Sequence, residues 1–297
     1  MRILILDLLA ERSEFGHGGN IEMIKPFTRY HSEIEVLLVT PQYEDYSKSK
    51  VNRLELLQID RENVPFWNEE TEFTSTSSEI IDETLVKFIR IFTPDGEIEK
   101  ISDWLKEFRI TCMFCSGSRR NVSEPEQWME NAKKLLMASM LAEIPLLGIC
   151  FGHQLLAETL GGVVMRSSKR IDTICNLELT DIGLIDPLFE GLLNDNEGPF
   201  ILYTHQDHVV EISSNQKIKI ELLGSSKHCN NAAIRASING KLLPAWGVQF
   251  HPEASKDRIN RSYELGHISL DEREVFNEEH DGARVLENFA KRVYLEI

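Results

Sequence analysis

The sequence predicts an α/β fold with a mostly parallel central sheet and flanking helices, to which a small antiparallel sheet and two insertions are added. Three features lead there. The N-terminus alternates an apolar run, Arg2 to Asp7, a helical stretch, Ile21 to Arg29, and a second apolar run, Ile34 to Thr40, which is how a parallel sheet opens. The run Leu146-Leu147-Gly148-Ile149 ends abruptly at Cys150, with Gly148 and Gly152 two places away on either side; this reads as a sharp strand-to-helix corner whose neighbours must be small. Beyond Gly162 the pattern changes to short strands, Gly162 to Arg166 and Asp172 to Leu179, as antiparallel pairing would require.

The elements follow in order. Between the first strand and helix, Phe15-Gly16-His17-Gly18-Gly19-Asn20 has glycines too irregular for a dinucleotide fingerprint, and a loop is expected. From Pro41 to Lys106 the chain is polar and acidic, with a Ser/Thr-rich loop at Glu72 to Ser78 and helical spacing over Ile80 to Ile91 and Ile98 to Phe108. Ile110 to Cys115 reads as a buried strand. Its Cys112-x-x-Cys115 places the two thiols on opposite faces of an extended chain, which excludes a shared metal or an easy disulfide. Ser123-Glu124-Pro125-Glu126 has the spacing of a capping box and should open a helix reaching Ala142. After the corner, Gln154 to Leu160 continues as a helix that Gly161-Gly162 stops. Pro187 to Leu192 is a helical turn, and Phe200 to Val209 an apolar run with a polar end.

The 297 residues, 42% of them hydrophobic, suit one enlarged domain over 1–297 with insertions at about 41–106 and 254–281. A formal charge of −16, from 32 basic and 48 acidic residues, argues against a nucleic-acid or anionic-membrane surface and favours small ligands or protein partners. The start Met1-Arg2-Ile3-Leu4-Ile5-Leu6-Asp7 turns acidic too early for a secretory signal, and no run is long and apolar enough for a membrane span. Five cysteines without regular spacing suggest reduced thiols and a cytoplasmic protein; Cys175 and Cys229 receive no role.

Chemistry centres on Cys150. A helix starting there points its first amides at the thiol, favouring thiolate and supplying donors for an oxyanion. A cysteine between turn glycines can equally be a small core residue, so a second stretch, Gly247-Val248-Gln249-Phe250-His251-Pro252-Glu253, carries weight. Residues two apart on an extended chain share a face. His251 can therefore serve as general base while Glu253 orients its other nitrogen.

Together these stretches resemble the class I, or triad, glutamine amidotransferases, whose nucleophile corner is followed by a glutamine and whose base and acid come as His-Pro-Glu. The resemblance covers most of Ile110 to Glu253, the first strand and the last helix. It implies Cys150, His251 and Glu253 as the triad. The family places a Ser-Gly-Gly-Pro loop where this chain has Ser116-Gly117-Ser118-Arg119, which implies an oxyanion hole from Gly117 or Ser118 with the amide of Phe151. Arg119 and Arg120 either meet an anionic acceptor or a partner carboxylate, or stand solvated. His205-Gln206-Asp207-x-Val209 resembles the segment of GMP synthetase-like stand-alone members and γ-glutamyl peptidases, and with Gln154 it is assigned to substrate; His205 also competes as a base. The implied reaction is attack of Cys150 on the glutamine side-chain amide, loss of ammonia, and hydrolysis of a γ-glutamyl thioester, with no metal and no organic cofactor. No phosphate-binding loop accompanies it in the sequence, so ammonia would pass to a separate synthetase. The alternative is a γ-glutamyl peptidase or hydrolase using the same three residues. The acidic stretch from Tyr263 to Asp281 is either a solvated face or a docking segment.

Overall fold

The computed structural model describes residues 1–10, 13–43, 75–192, 198–212 and 217–296. Strand β1 (Arg2–Leu6) leads through helix α1 (Ser13–Ile24) and a 3-10 turn at Lys25–Arg29 to β2 (Glu33–Val39). The hairpin β3 (Ser75–Ile81) and β4 (Thr84–Ile91) precedes α2 (Ile98–Glu107), β5 (Cys112–Cys115), α3 (Trp128–Leu141), β6 (Leu146–Ile149) and α4 (Phe151–Thr159). Then come β7 (Val163–Asn176), β8 (Glu178–Leu179), α5 (Asp181–Leu184), β9 (Phe200–Glu211), β10 (Ile218–Ser226), β11 (Cys229–Ile238) and β12 (Lys241–Val248). Helices α6 (Lys256–Glu264), α7 (Leu270–Val275) and α8 (Gly282–Glu296) follow.

Among the described residues the main sheet runs β3-β4-β2-β1-β5-β6-β12-β11-β10-β8. Every pairing from β4 to β12 is parallel, and both edges are antiparallel. Strands β7 and β9 form a separate antiparallel pair. The fold class is the predicted one. Strands β1, β5 and β6 are apolar on both faces because helices cover both. Ile3, Phe114 and Leu147 join Val285 and Phe289 of α8 on one side, whereas Leu4, Met113 and Leu146 join Leu105 of α2 and Leu135 of α3 on the other. Cys112 and Cys115 fall into these two opposite layers, both buried and unbridged. Among the described residues no helix is long and apolar enough to cross a membrane.

Five local expectations need correction. Residues 80–91 are not helical: Asp82 and Glu83 turn the chain at φ 45° and 68° into a hairpin, and β4 alternates buried and exposed side chains. Apolar residues there satisfy both periods, and the β-branched and aromatic content, Ile80, Ile81, Val86, Phe88 and Ile89, decides for strand. Strand β4 pairs with the whole of β2 from Leu85 to Ile91, so this part of the first expected insertion lies within the sheet. Residues 44–74, which include part of the expected Ser/Thr-rich loop, lie outside the described residues, and Ser75–Ser78 of that loop belong to β3. The expected loop at Phe15–Asn20 is the body of α1. Its glycines serve close packing: a Cβ at Gly16 would run into the Leu9 carbonyl, and one at Gly19 would lie 3.0 Å from the Arg258 guanidinium. Finally, the expected capping box at Ser123 does not start α3, which begins at Trp128, because the Ser123 amide donates to Asp207 Oδ2 at 2.9 Å. The two short strands expected after Gly162 are mainly one bent strand, β7, with a register shift between Arg166 and Ile171.

Candidate functional site

The sheet grows from β1 to β2 on one side and to β5 on the other, and at such a reversal the carboxyl ends of the strands open a crevice. A cavity of about 370 Å³ lies there. Its lining includes Leu9 after β1, Gly117 and Ser118 after β5, and Cys150 after β6.

Cys150 sits at the β6–α4 corner with φ 51° and ψ −100°, a conformation that non-glycine residues seldom adopt and that marks stored strain. Two observations show how the sequence permits it. A Cβ on Gly148 would lie 2.6 Å from the Gly152 carbonyl, and one on Gly152 would collide with the carbonyl of Cys115. The corner closes only with glycine at both places. The Cys150 amide donates to Val248 O at 2.8 Å, tying the corner to β12, and Gln249 Nε2 lies 3.7 Å from the sulfur.

Strand β12 carries the chain on to His251, whose amide donates to Leu202 O at 2.9 Å. His251 Nδ1 is 2.9 Å from Glu253 Oε1, and Nε2 is 3.3 Å from the Thr204 carbonyl, which the Cys150 sulfur also approaches at 3.8 Å. Both ring nitrogens thus face acceptors, a pattern that only the doubly protonated ring satisfies in full. Burial opposes that charge, but the Glu253 carboxylate and the Cys150 sulfur outweigh it and hold His251 well above its ordinary range. Burial alone would raise Glu253; His251 and Arg258 reverse this and lower it. The pair favours imidazolium beside carboxylate.

The remaining predicted residues meet in the same cavity. Gly117 is so close to the imidazole that a Cβ there would lie 3.2 Å from His251 Cε1 and 4.0 Å from Cys150 Cβ. Ser118 and Phe151 line the cavity beside it, and the first amides of α4 have no acceptor within the helix. Gln154 is buried and donates to Asp207 O at 2.7 Å and to Gln249 Oε1 at 3.2 Å, so both hydrogens of its amide already have acceptors. His205 Nδ1 is 2.9 Å from Asp207 O; burial, partly opposed by that carbonyl, pulls the ring down to about 4 and keeps it neutral. Asp207 spends Oδ2 on the Ser123 amide, while its Oδ1 is buried without a partner among the described residues. Among the described residues no cluster of His, Cys, Asp or Glu could hold a metal ion.

One contributor has no sequence signature. Arg258, on α6 inside the second expected insertion, is buried and reaches Glu253 twice, at 3.2 Å from its carbonyl and 3.8 Å from Oε1. It also donates to Phe15 O at 2.9 Å and lies 4.4 Å over the Phe15 ring. The glycines of α1 make room for it. An arginine in a polar helix looks like any surface arginine until α1 is folded against it.

The sequence profile of the family described as glutamine amidotransferase class-I matches residues 79–264, and the chain belongs to this family of enzymes, which act on the side-chain amide of glutamine. It is similar to a subunit of the glutamine-hydrolyzing GMP synthase of Saccharolobus solfataricus, 33% identical over 165 residues that make 56% of this chain and 76% of that protein. The corresponding GMP synthase subunit of Pyrococcus furiosus is 32% identical over 161 residues, 54% of this chain and 66% of that one. Against the GMP synthase of Cytophaga hutchinsonii the match, 34% identical over 143 residues, takes in 48% of this chain and 25% of that protein. Thus the chain spans about two thirds to three quarters of the first two relatives, and a quarter of that longer synthase. Among solved structures, the glutaminase domain of Trypanosoma brucei CTPS with bound acivicin superposes with a TM-score of 0.52 at 11% identity, covering 100% of this chain and 94% of that one. That likeness concerns the fold alone.

Proposed function

We propose that this chain, as a single domain in which the expected insertion at about 41–106 contributes β4 to the main sheet and a second insertion lies at about 254–281, hydrolyses the side-chain amide of L-glutamine and delivers ammonia to a separate synthetase. Cys150 is the nucleophile, His251 the proton carrier and Glu253 its orienter. The observation that carries this reading is that Glu253 Oε1 holds His251 Nδ1 while His251 Nε2 and the Cys150 sulfur converge on the Thr204 carbonyl, at a strained corner facing one cavity. The thiolate attacks the amide carbon, and amides of Gly117 or Ser118 and of Phe151 hold the oxyanion. His251 gives its proton to the departing ammonia, then takes one from the water that cleaves the thioester. Asp207, His205 and Gln154 supply the polar wall for the amino-acid end of the substrate. The relatives named as subunits of GMP synthase support a partner synthetase.

Ammonia and glutamate release from L-glutamine, measured for the purified chain and for Cys150→Ala, with and without a candidate synthetase, tests the reading. Turnover that disappears in the variant is the expected result. Turnover that survives it would remove Cys150 from the chemistry.

A further inference from the structure

The Gly247–Glu253 stretch brings a further polar side chain to the nucleophile. Gln249, His251 and Glu253 stand at every second position, which puts them on one face of an extended chain. Gln249 is fully buried between Val248 and Phe250, which are buried as well, and its backbone amide continues the ladder to Ala232 O at 2.8 Å. Packing alone calls for an apolar residue there, because a buried side-chain amide costs stability unless it is bonded. The orientation of this amide follows from its neighbours, one bond at a time. Asp207 O is a carbonyl and only accepts, so Gln154, 2.7 Å away, turns its NH2 group toward it. The second hydrogen of that group goes to Gln249 Oε1 at 3.2 Å. With its oxygen taken, Gln249 presents Nε2 to the Cys150 sulfur at 3.7 Å, and among the described residues the sulfur is the sole acceptor of that nitrogen's hydrogens. The series of bonds starts at a backbone carbonyl and ends at the reacting atom.

We propose that Gln249 is a further catalytic residue of this site, an N–H donor that stabilises the Cys150 thiolate from the protein side while His251 faces the cavity. This rests on Cys150 being the nucleophile. Among the described residues Gln249 does not line the cavity, so its contact is with the sulfur and not with substrate. A thiol is a weak acceptor and an anion a strong one; the bond therefore strengthens as the proton leaves and favours the nucleophilic form. The same donor serves both halves of the reaction, first the thiolate that attacks and then the thiolate that leaves when water cleaves the thioester. Gln154 gains a second task. Besides lining the cavity, its NH2 group holds the Gln249 amide with the donor, and not the oxygen, turned to the sulfur.

Alkylation by iodoacetamide as a function of pH, followed by mass spectrometry of the intact full chain, reads the thiolate without any turnover. The other four thiols are buried, and burial pushes each of them up, so Cys150→Ala should take up no label near neutral pH. Gln249→Met removes the donor at similar volume; Gln249→Asn withdraws it by one methylene and serves should the first variant not fold. The expected result for either is an alkylation midpoint about one pH unit higher, as for loss of a hydrogen bond to a charged group. Below the midpoint the thiolate fraction is then about tenfold smaller, so kcat/KM for glutamine falls about tenfold there and recovers on the alkaline side. A midpoint that stays in place in a folded variant, with labelling and turnover reduced alike at every pH, overturns the inference and leaves Gln249 structural. A shifted midpoint in a chain that ignores glutamine upholds Gln249 and removes the glutaminase reading, whereas an unshifted midpoint in a chain that hydrolyses glutamine does the reverse.

Discussion

Arg235 and Arg258 are both buried and both paired with a carboxylate, yet Arg235 lies 2.8 Å from Asp186 whereas Arg258 stands 3.8 Å from Glu253. Asp186 is fully engaged. Its other oxygen accepts from Trp246 Nε1 at 3.0 Å, while Arg235 donates Nε to Leu243 O at 2.7 Å and stacks 4.3 Å over the Trp246 ring. At the cavity, Glu253 shares Oε1 between His251 and Arg258, and among the described residues its Oε2 has no partner; nor does Arg258 Nε. A buried ion pair with complete bonding ties elements together. A carboxylate with a bond unspent keeps its charge available to an imidazolium, at a cost in stability. Both arginines are buried, so what distinguishes these two pairs is the bonding left incomplete at the cavity.

The strongest challenge to this contrast is Glu253→Gln. We expect kcat for glutamine to fall about 10³- to 10⁴-fold, as when a triad carboxylate becomes an amide, with Tm almost unchanged; a loss below tenfold would break the functional half. Asp186→Ala should do the reverse. It leaves Arg235 buried and unpaired, at a cost of about 3–5 kcal/mol in denaturant titration, while kcat per folded molecule holds.

Two histidines sharpen the same contrast. His205 is held at about 4, below its ordinary 6.5, by burial. Between pH 6.5 and pH 4 the unfolded chain therefore binds a proton that the folded chain refuses, and lowering the pH through this range costs on the order of 3 kcal/mol of stability. His205→Gln should flatten this stretch of a Tm-versus-pH curve. His251 has the opposite sign: its raised value contributes stability that is full below the unfolded value and fades as pH rises through the folded one. The smallest effect is expected at Arg258. Arg258→Met should lower kcat/KM about fivefold to tenfold and move the acid limb of its pH profile upward, because Glu253 loses the cation that keeps it ionised; Arg258→Lys should restore part of both. A limb that stays in place would make Arg258 purely structural.

The corner and the His251–Glu253 pair were legible because each is local. Gly148 must be glycine for the chain to pass Gly152 four residues on, and His251 and Glu253 lie two apart on one extended segment; the Cys115 carbonyl that also requires glycine at 152 comes from β5. The apolar spacing of residues 80–91 fits a helix and a strand alike, and their β-branched and aromatic side chains together with the pairing to β2 select the strand. The glycines of α1 were misread for a related reason. Local propensity counts glycine against a helix, while the close approach of Leu9 and Arg258 that requires it comes from other parts of the chain.

The alternation of strand and helix, the Cys150 corner and the chemistry that nine residues could share are written in periods and spacings within a few positions. Tertiary structure alone decided that these residues line one cavity, that Arg258 reaches Glu253 from a helix beyond it, and that Arg119 stands without a partner among the described residues at the mouth of an otherwise acidic chain. Burial and charge pairing are properties of what surrounds a residue. The surroundings exist only once the chain has closed.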